Sequence, residues 1–190
     1  MTGTKLVAPE PTVAKTWNLD PAHSGVSFAV KHLMIATVRG RMAVKQGVLH
    51  LDQQAPERST VEAEVDAASI DTGVQQRDDH LRSADFLDAA NHPVLRFRST
   101  RVAPRGADAA DVTGDLTIRG VTRPATFLVR LEGHARDPWG NARAAFSAET
   151  TIDRRDWGLT WNQLLETGGV VVGEKVKIAL DLEATLAKEP

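Results

Sequence analysis

The sequence has 190 residues, which is enough for one domain with a sizeable hydrophobic core. Lysine and arginine total 23 against 25 aspartates and glutamates, so the net charge is −2. The basic residues do not form a stripe along the sequence, so nothing indicates a nucleic-acid partner. The absence of cysteine excludes a disulfide scaffold, a thiolate metal site and a cysteine nucleophile. No apolar stretch approaches the length of a membrane span, so we do not expect an integral membrane protein.

Residues 1–15 precede the first patterned segment and contain Pro9, Pro11 and scattered polar residues. They lack the continuous apolar core of a secretory signal peptide. We therefore expect a flexible N-terminal arm over residues 1–15, one folded domain over residues 16–187 and a cytoplasmic location.

Alternation of apolar and polar residues with period two is the dominant pattern after the arm. It is strictest near the C-terminus, where Val176, Ile178 and Leu180 share one face. Such alternation is typical of strands with one buried and one solvated face. In chain order, the alternating segments are 26–31, 38–52, 61–66, 95–100, 116–119, 125–133, 146–151 and 175–186.

Turn signals separate these segments, at 104–106, Arg119-Gly120, 137–141 and Gly168-Gly169. A further turn is expected near Gln46-Gly47, inside segment 38–52. About eight strands separated by such turns predict an all-β fold, which we interpret as an extended eight-stranded antiparallel β-barrel of the lipocalin-like kind.

Segment 72–87 is polar and interrupts the alternation. Thr72 followed three residues later by Gln75 fits a capping box, so the sequence predicts one short helix around residues 74–83. A turn at Ser83-Ala84-Asp85 would then place Phe86 and Leu87 against the barrel.

The inward positions of the predicted strands mix large and small side chains, and aromatic residues make up only 5% of the chain. Alternation shows which face is buried but not how tightly it is packed. An eight-stranded barrel is wide enough either to be filled by side chains or to hold one small ligand, and this reasoning leaves both alternatives open.

Motifs spread over residues 17–186 resemble the YceI-like family of polyisoprenoid-binding proteins. The most specific are RDDHLRSADFL at 77–87 and GDLTIRGVTRP at 114–124; further matches lie at 20–32, 69–72, 92–99 and 137–148. The resemblance implies a lipocalin-like barrel that encloses a long apolar lipid, a polyisoprenoid or an isoprenoid quinone, for storage or transport. It also implies a homodimer. Many family members are periplasmic.

Ligand-binding residues are expected on the inward faces of this barrel and on the segment after the helix. His32 has the parity of Val30 and is expected near one mouth, either hydrogen-bonded to a lipid head group or satisfied within the core. Trp17 is expected to plug a barrel end. The predicted ligand-binding set is Phe28, Val30, His32, Val65, Leu81, Phe86, Leu87, Phe97, Leu116, Ile118, Phe127, Phe146 and Trp157.

The six histidines form no HExxH motif, so no metal site and no cofactor other than the lipid are predicted. The alternative is an enzyme acting on an apolar substrate, with His80 or His32 as acid or base. No GxSxG motif and no phosphate-binding glycine motif is present, so a protein that binds without catalysis is favoured. His80 and His92 are expected to form local hydrogen bonds that brace the helix.

Overall fold

The computed structural model describes residues 14–163 and 171–188. Within these ranges the chain forms nine strands and one α-helix. They are β1 (Lys15–Leu19), β2 (Gly25–His32), β3 (Ala36–Leu51), β4 (Thr60–Asp66), α1 (Gln75–Arg82), β5 (Val94–Pro104), β6 (Ala109–Ile118), β7 (Val121–Arg136), β8 (Ala142–Asp153) and β9 (Val172–Leu186). The predicted arm falls outside the described residues except for its last two positions, and β1 begins at Lys15.

The strands close into an eight-stranded antiparallel barrel, which confirms the predicted fold class. Strands β2 to β9 are neighbours in chain order, and β9 pairs with β2 to complete the ring. The ninth strand does not widen the barrel. Trp17 of β1 lies opposite Leu49 of β3 and Leu186 of β9, and β2 pairs with the same two strands further along. Strands β1 and β2 therefore act as one strand that is broken at residues 20–24.

The two ends of the barrel carry different connections. At the end called here the upper end lie the β3–β4 connection (52–59), the β5–β6 connection (105–108) and the β7–β8 turn (137–141). The lower end carries the β2–β3 turn, the long β4–β5 connection that contains α1, and the 3-10 turn Arg154–Trp157 after β8. No helix of the described residues is long and apolar enough to cross a membrane.

The turn predicted near Gln46-Gly47 is wrong, because β3 runs through these residues without a break. The glycine serves packing instead: a Cβ on Gly47 would lie 2.4 Å from Cδ1 of Leu19. The chain reverses earlier, at Leu33 and Met34, whose φ angles of 51° and 61° are left-handed. The predicted turn at Gly168-Gly169 lies outside the described residues.

Helix α1 lies within the predicted range, but it begins without a capping box. The residue before it, Val74, makes no side-chain cap hydrogen bond. The buried carboxylate of Asp78 instead accepts hydrogen bonds from the backbone N–H (2.9 Å) and the hydroxyl of Thr72. This contact fastens the helix to the segment that crosses the lower end. Phe86 and Leu87 are both buried, as expected.

Candidate functional site

An apolar cavity of about 480 Å³ lies inside the barrel. This volume is within the range of roughly 300–1,000 Å³ that is typical of small-molecule sites. On β9 alone, the lining extends from Val172 to Leu182. At about 3.3 Å per residue and a strand tilt of about 40°, that run corresponds to roughly 25 Å along the barrel axis. The cavity is therefore long and narrow.

Many of the inward side chains are only partly buried, although they face the barrel interior. Phe28, Val61 and Ile178 line the cavity and keep accessible surface on their inner sides. In a close-packed interior, neighbouring side chains would cover such positions. The barrel is thus hollow. Alternation in the sequence left open whether side chains fill the interior, and the packing in the structure decides that they do not.

Two glycines help to keep the interior open. A Cβ on Gly40 would lie 2.4 Å from Cζ of Phe28, and a Cβ on Gly114 would lie 2.6 Å from Cζ of Phe97. Gly40 is the cross-strand neighbour of Phe28, and Gly114 lies diagonally across from Phe97. The ring of each phenylalanine covers its glycine. Because no side chain stands there, both rings lie against the wall and leave the centre of the barrel free.

The cavity opens at the upper end. Its lining there includes Gln53 and Pro56 of the β3–β4 connection and Ala107 of the β5–β6 connection, all of which are exposed. At the lower end the lining residues Phe86 and Leu159 are buried, so the described residues close that end.

Trp17, which was expected to plug a barrel end, is buried at the upper end. Its ring centroid lies 6.1 Å from that of His134, on β7. Trp17 does not line the cavity, whose mouth is formed by residues of the β3–β4 and β5–β6 connections.

The mouth carries a buried carboxylate that is already committed to the local backbone. Asp52 accepts hydrogen bonds from the backbone N–H groups of Gln54 (3.0 Å) and Ala55 (2.9 Å). Its own N–H donates to the hydroxyl of Ser59 at 3.0 Å. These bonds give the β3–β4 connection a defined shape at the cavity rim.

The lower end contains a buried cation, Arg154, whose side chain contributes to the cavity wall. Its burial lowers the pKa of the guanidinium from the usual value. The guanidinium donates to four main-chain carbonyls, those of Leu159, Trp161, Val172 and Gly173. Arg154 therefore ties the turn after β8 to the start of β9.

Eleven of the thirteen predicted ligand-binding residues line the cavity, and His32 and Trp157 do not. Trp157 is buried in the wall, where its indole N–H donates to the carbonyl of Leu116 at 2.9 Å. His32 is the last residue of β2, opposite Ala36 of β3 and Val172 of β9, and its side chain does not form part of the cavity lining. Residues 154–157, which are rich in arginine and tryptophan, lie at the lower end and not at the mouth.

His80 also lies outside the lining. Its Nε2 is 2.9 Å from Oδ2 of Asp85, and its ring packs edge-on against Phe86 and Trp161, with centroid distances of 5.1 and 4.6 Å. It braces the segment that follows α1.

Sequence reasoning missed several lining residues, among them Leu19, Met42, Asp52, Arg154 and Leu159. Met42 has the parity of Val44 on β3 and was therefore open to prediction. Arg154 carried no signal in the sequence, because an arginine beside a second arginine is ordinarily a surface residue.

A polar network fastens the break between β1 and β2. Oδ2 of Asp20 lies 2.9 Å from Nδ1 of His23 and 2.6 Å from Nη1 of Arg143. These two hydrogen bonds, that of His23 foremost, lower the pKa of Asp20 to about 2. Arg143 also binds Glu183 at 2.9 Å. Asp20, His23 and Glu183 are close enough together for a metal ion, but Arg143 already pairs with both carboxylates.

The sequence matches the YceI-like domain over residues 17–184. The chain belongs to the YceI-like family. A UPF0312 protein of Pseudomonas putida (strain W619) is 37% identical to it over 159 residues, which is 83% of each chain. Among solved structures, Burkholderia cenocepacia BcnA is 25% identical, with a TM-score of 0.74 over 88% of this chain and 99% of BcnA.

A polyisoprenoid binding domain from Saccharophagus degradans has the same fold, with a TM-score of 0.67 over 92% of this chain and 99% of that domain. Its identity to the chain is 15%, so this likeness shows the fold alone. The resemblance inferred from the sequence motifs is confirmed.

Proposed function

We propose that the protein stores or transports a long apolar lipid, a polyisoprenoid or an isoprenoid quinone, inside the barrel. The observation that carries the proposal is the long cavity of about 480 Å³, whose walls are almost entirely aliphatic and aromatic. The polyisoprenoid binding domain from Saccharophagus degradans supports it, because that domain has the same fold.

Energetics favour a long guest over a short one. Each enclosed CH₂ contributes about 0.8 kcal/mol, whereas association itself costs at least about 4 kcal/mol. A chain with roughly ten enclosed groups gains about 8 kcal/mol, and only then does burial clearly exceed the cost. A cavity roughly 25 Å long accommodates a chain of that size in an extended form.

The proposed function is binding and not catalysis. The enzymatic alternative requires His80 or His32 to reach the substrate as acid or base. Neither histidine lines the cavity, and Nε2 of His80 is hydrogen-bonded to Asp85. The two buried charged side chains that line it, Asp52 and Arg154, are committed to backbone groups. No observation on the described residues favours the enzyme over the carrier.

Native mass spectrometry of the purified full chain tests the proposal, combined with organic extraction and mass analysis of the extract. The expected result is a bound species whose mass fits an isoprenoid and which leaves the protein on denaturation. Protein that is empty in several preparations, and that also fails to take up added farnesol or menaquinone, would refute it. The homodimeric state and the cytoplasmic location stay predictions, to be measured by light scattering and by cell fractionation.

A further inference from the structure

The β7–β8 turn carries an exposed tryptophan above the mouth of the cavity. Trp139 is 82% exposed. The N–H of Leu131 donates to the carbonyl of Asp108, which places Leu131 level with the β5–β6 connection at the mouth. Strand β7 continues to Arg136, so at about 3.3 Å per residue and a tilt of about 40° the hairpin rises more than 10 Å beyond that level.

The turn holds Trp139 in a fixed position. One oxygen of the Asp137 carboxylate accepts hydrogen bonds from the N–H groups of Trp139 (3.0 Å) and Asn141 (2.8 Å). The other accepts from the side chains of Asn141 (2.9 Å) and Arg143 (3.2 Å). A large apolar ring is therefore held in water by a rigid turn, although its burial would be favourable. Indole rings are enriched at membrane–water interfaces, where an apolar body and a polar N–H are both satisfied.

The charges around this turn suit a phospholipid surface. The carboxylates of Asp20, Asp137 and Glu183 are all paired with Arg143. Exposed cations lie at or just beyond the ends of neighbouring strands: Lys15, Arg136 and Lys188. Cations near a membrane surface are attracted to anionic lipid phosphates and headgroups.

We propose that the upper end of the barrel docks on a phospholipid bilayer, with Trp139 in the headgroup region and the cations against lipid phosphates. Docking in this orientation brings the mouth of the cavity to the membrane, which is where an apolar lipid would enter or leave. This docking proposal adds a membrane partner to the proposed function of lipid storage or transport. Its test does not depend on what the cavity holds.

The experiment uses the full chain and vesicles of phosphatidylcholine, with and without a minor fraction of phosphatidylserine. Flotation measures binding. The difference in tryptophan emission between the wild type and Trp139→Ala reports the environment of Trp139, since Trp17 and Trp157 are buried and the half-buried Trp161 is present in both proteins. We expect the wild type to float with vesicles and its emission to shift to the blue. Trp139→Ala should weaken binding about tenfold, because one large side chain no longer leaves water.

The control is Ile35→Ser. Ile35 is also 82% exposed, but it lies beside the β2–β3 turn at the lower end, so its replacement should leave vesicle binding unchanged. A double variant, Arg136→Ala with Lys188→Ala, should weaken binding to phosphatidylserine vesicles, and most strongly at low salt. Thermal melts of each variant check that the fold is intact.

The proposal is overturned if Trp139→Ala binds vesicles as tightly as the wild type, or if Ile35→Ser weakens binding to the same extent. It is also overturned if the wild type binds no vesicles and Trp139→Ala converts a dimer to a monomer, because the patch is then a contact between copies. If the protein binds vesicles through Trp139 but contains no extractable lipid, only the carrier function is refuted. If the protein contains bound lipid but does not bind vesicles, only the docking proposal is refuted.

Discussion

Replacement of Ala63 by phenylalanine separates a hollow barrel from a packed one. Ala63 lies on β4, lines the cavity and is half-buried, with Phe97 and Gly47 opposite it on the two neighbouring strands. In a packed core, a ring added at this position would cost about 1–3 kcal/mol of the free energy of unfolding. In the cavity of about 480 Å³ the ring has space, so we expect the free energy of unfolding to change by less than about 0.5 kcal/mol.

The same ring should weaken ligand binding. If it displaces roughly four enclosed CH₂ groups, the lipid loses about 3 kcal/mol of binding free energy, which is about a hundredfold in Kd. The assay is displacement of a fluorescent apolar probe by farnesol, combined with urea unfolding of the same preparations. Ala179→Phe is the matched control: Ala179 is exposed on the outer face of β9, between the lining residues Ile178 and Leu180, so the ring points to solvent. A strongly destabilised Ala63→Phe variant with unchanged affinity would show that the interior is filled and that the lipid binds elsewhere.

Three further predictions concern the polar contacts. Arg154→Met should lower the free energy of unfolding in urea by about 3–5 kcal/mol, because four carbonyls lose their donor; a loss below about 1 kcal/mol contradicts the role given to Arg154. The pKa of Asp20 is about 2 in the folded protein and 3.8 in its unperturbed state, so the ionised group should stabilise the fold by about 2 kcal/mol above pH 4. This contribution should be lost as the pH falls towards 2. Acid unfolding of Asp20→Asn should not show this loss. The hydrogen bond that His23 donates to the Asp20 carboxylate raises the pKa of His23 above 6.5. This pairing therefore favours folding below that pH and fades as the pH rises through the raised pKa; an NMR titration in which Asp20→Asn leaves the pKa of His23 unchanged would contradict this.

The barrel could be predicted from the sequence because period two determines which side chains face inward. The prediction of turns and strands failed where a residue is placed for a reason other than facing inward or outward. Gly47 suggested a turn, but the glycine makes room for Leu19 in a continuous strand. Strand β1 was missed because its five residues are too few to show a period, and because it is a detached part of the strand that continues as β2.

The cavity-lining residues could be predicted from the sequence where the alternation identifies the inward face of a strand. His32 keeps the parity of Val30 but is the last residue of β2 and does not line the cavity, because the point at which the lining ends is not marked in the sequence of β2 itself. Whether the interior is hollow depends on where the rings of Phe28 and Phe97 lie, and this is decided by Gly40 and Gly114 on other strands. Such pairings are long-range, so a pattern within one segment carries no information about them.

The two ends of the cavity differ in how they could open, and this difference makes the upper end the route for the ligand. At the lower end, Arg82 donates to the carbonyls of Ala68 and Ile70, both at 2.7 Å, and Arg154 binds four more carbonyls. Opening there would leave these carbonyls without partners, which costs about 1–3 kcal/mol for each of the buried ones, those of Leu159 and Gly173. At the mouth, Gln53 and Ala107 are already exposed, so a lipid can pass them without breaking backbone hydrogen bonds of the wall. Passage through the upper end is therefore the path of lowest cost, and it is the end at which Trp139 projects.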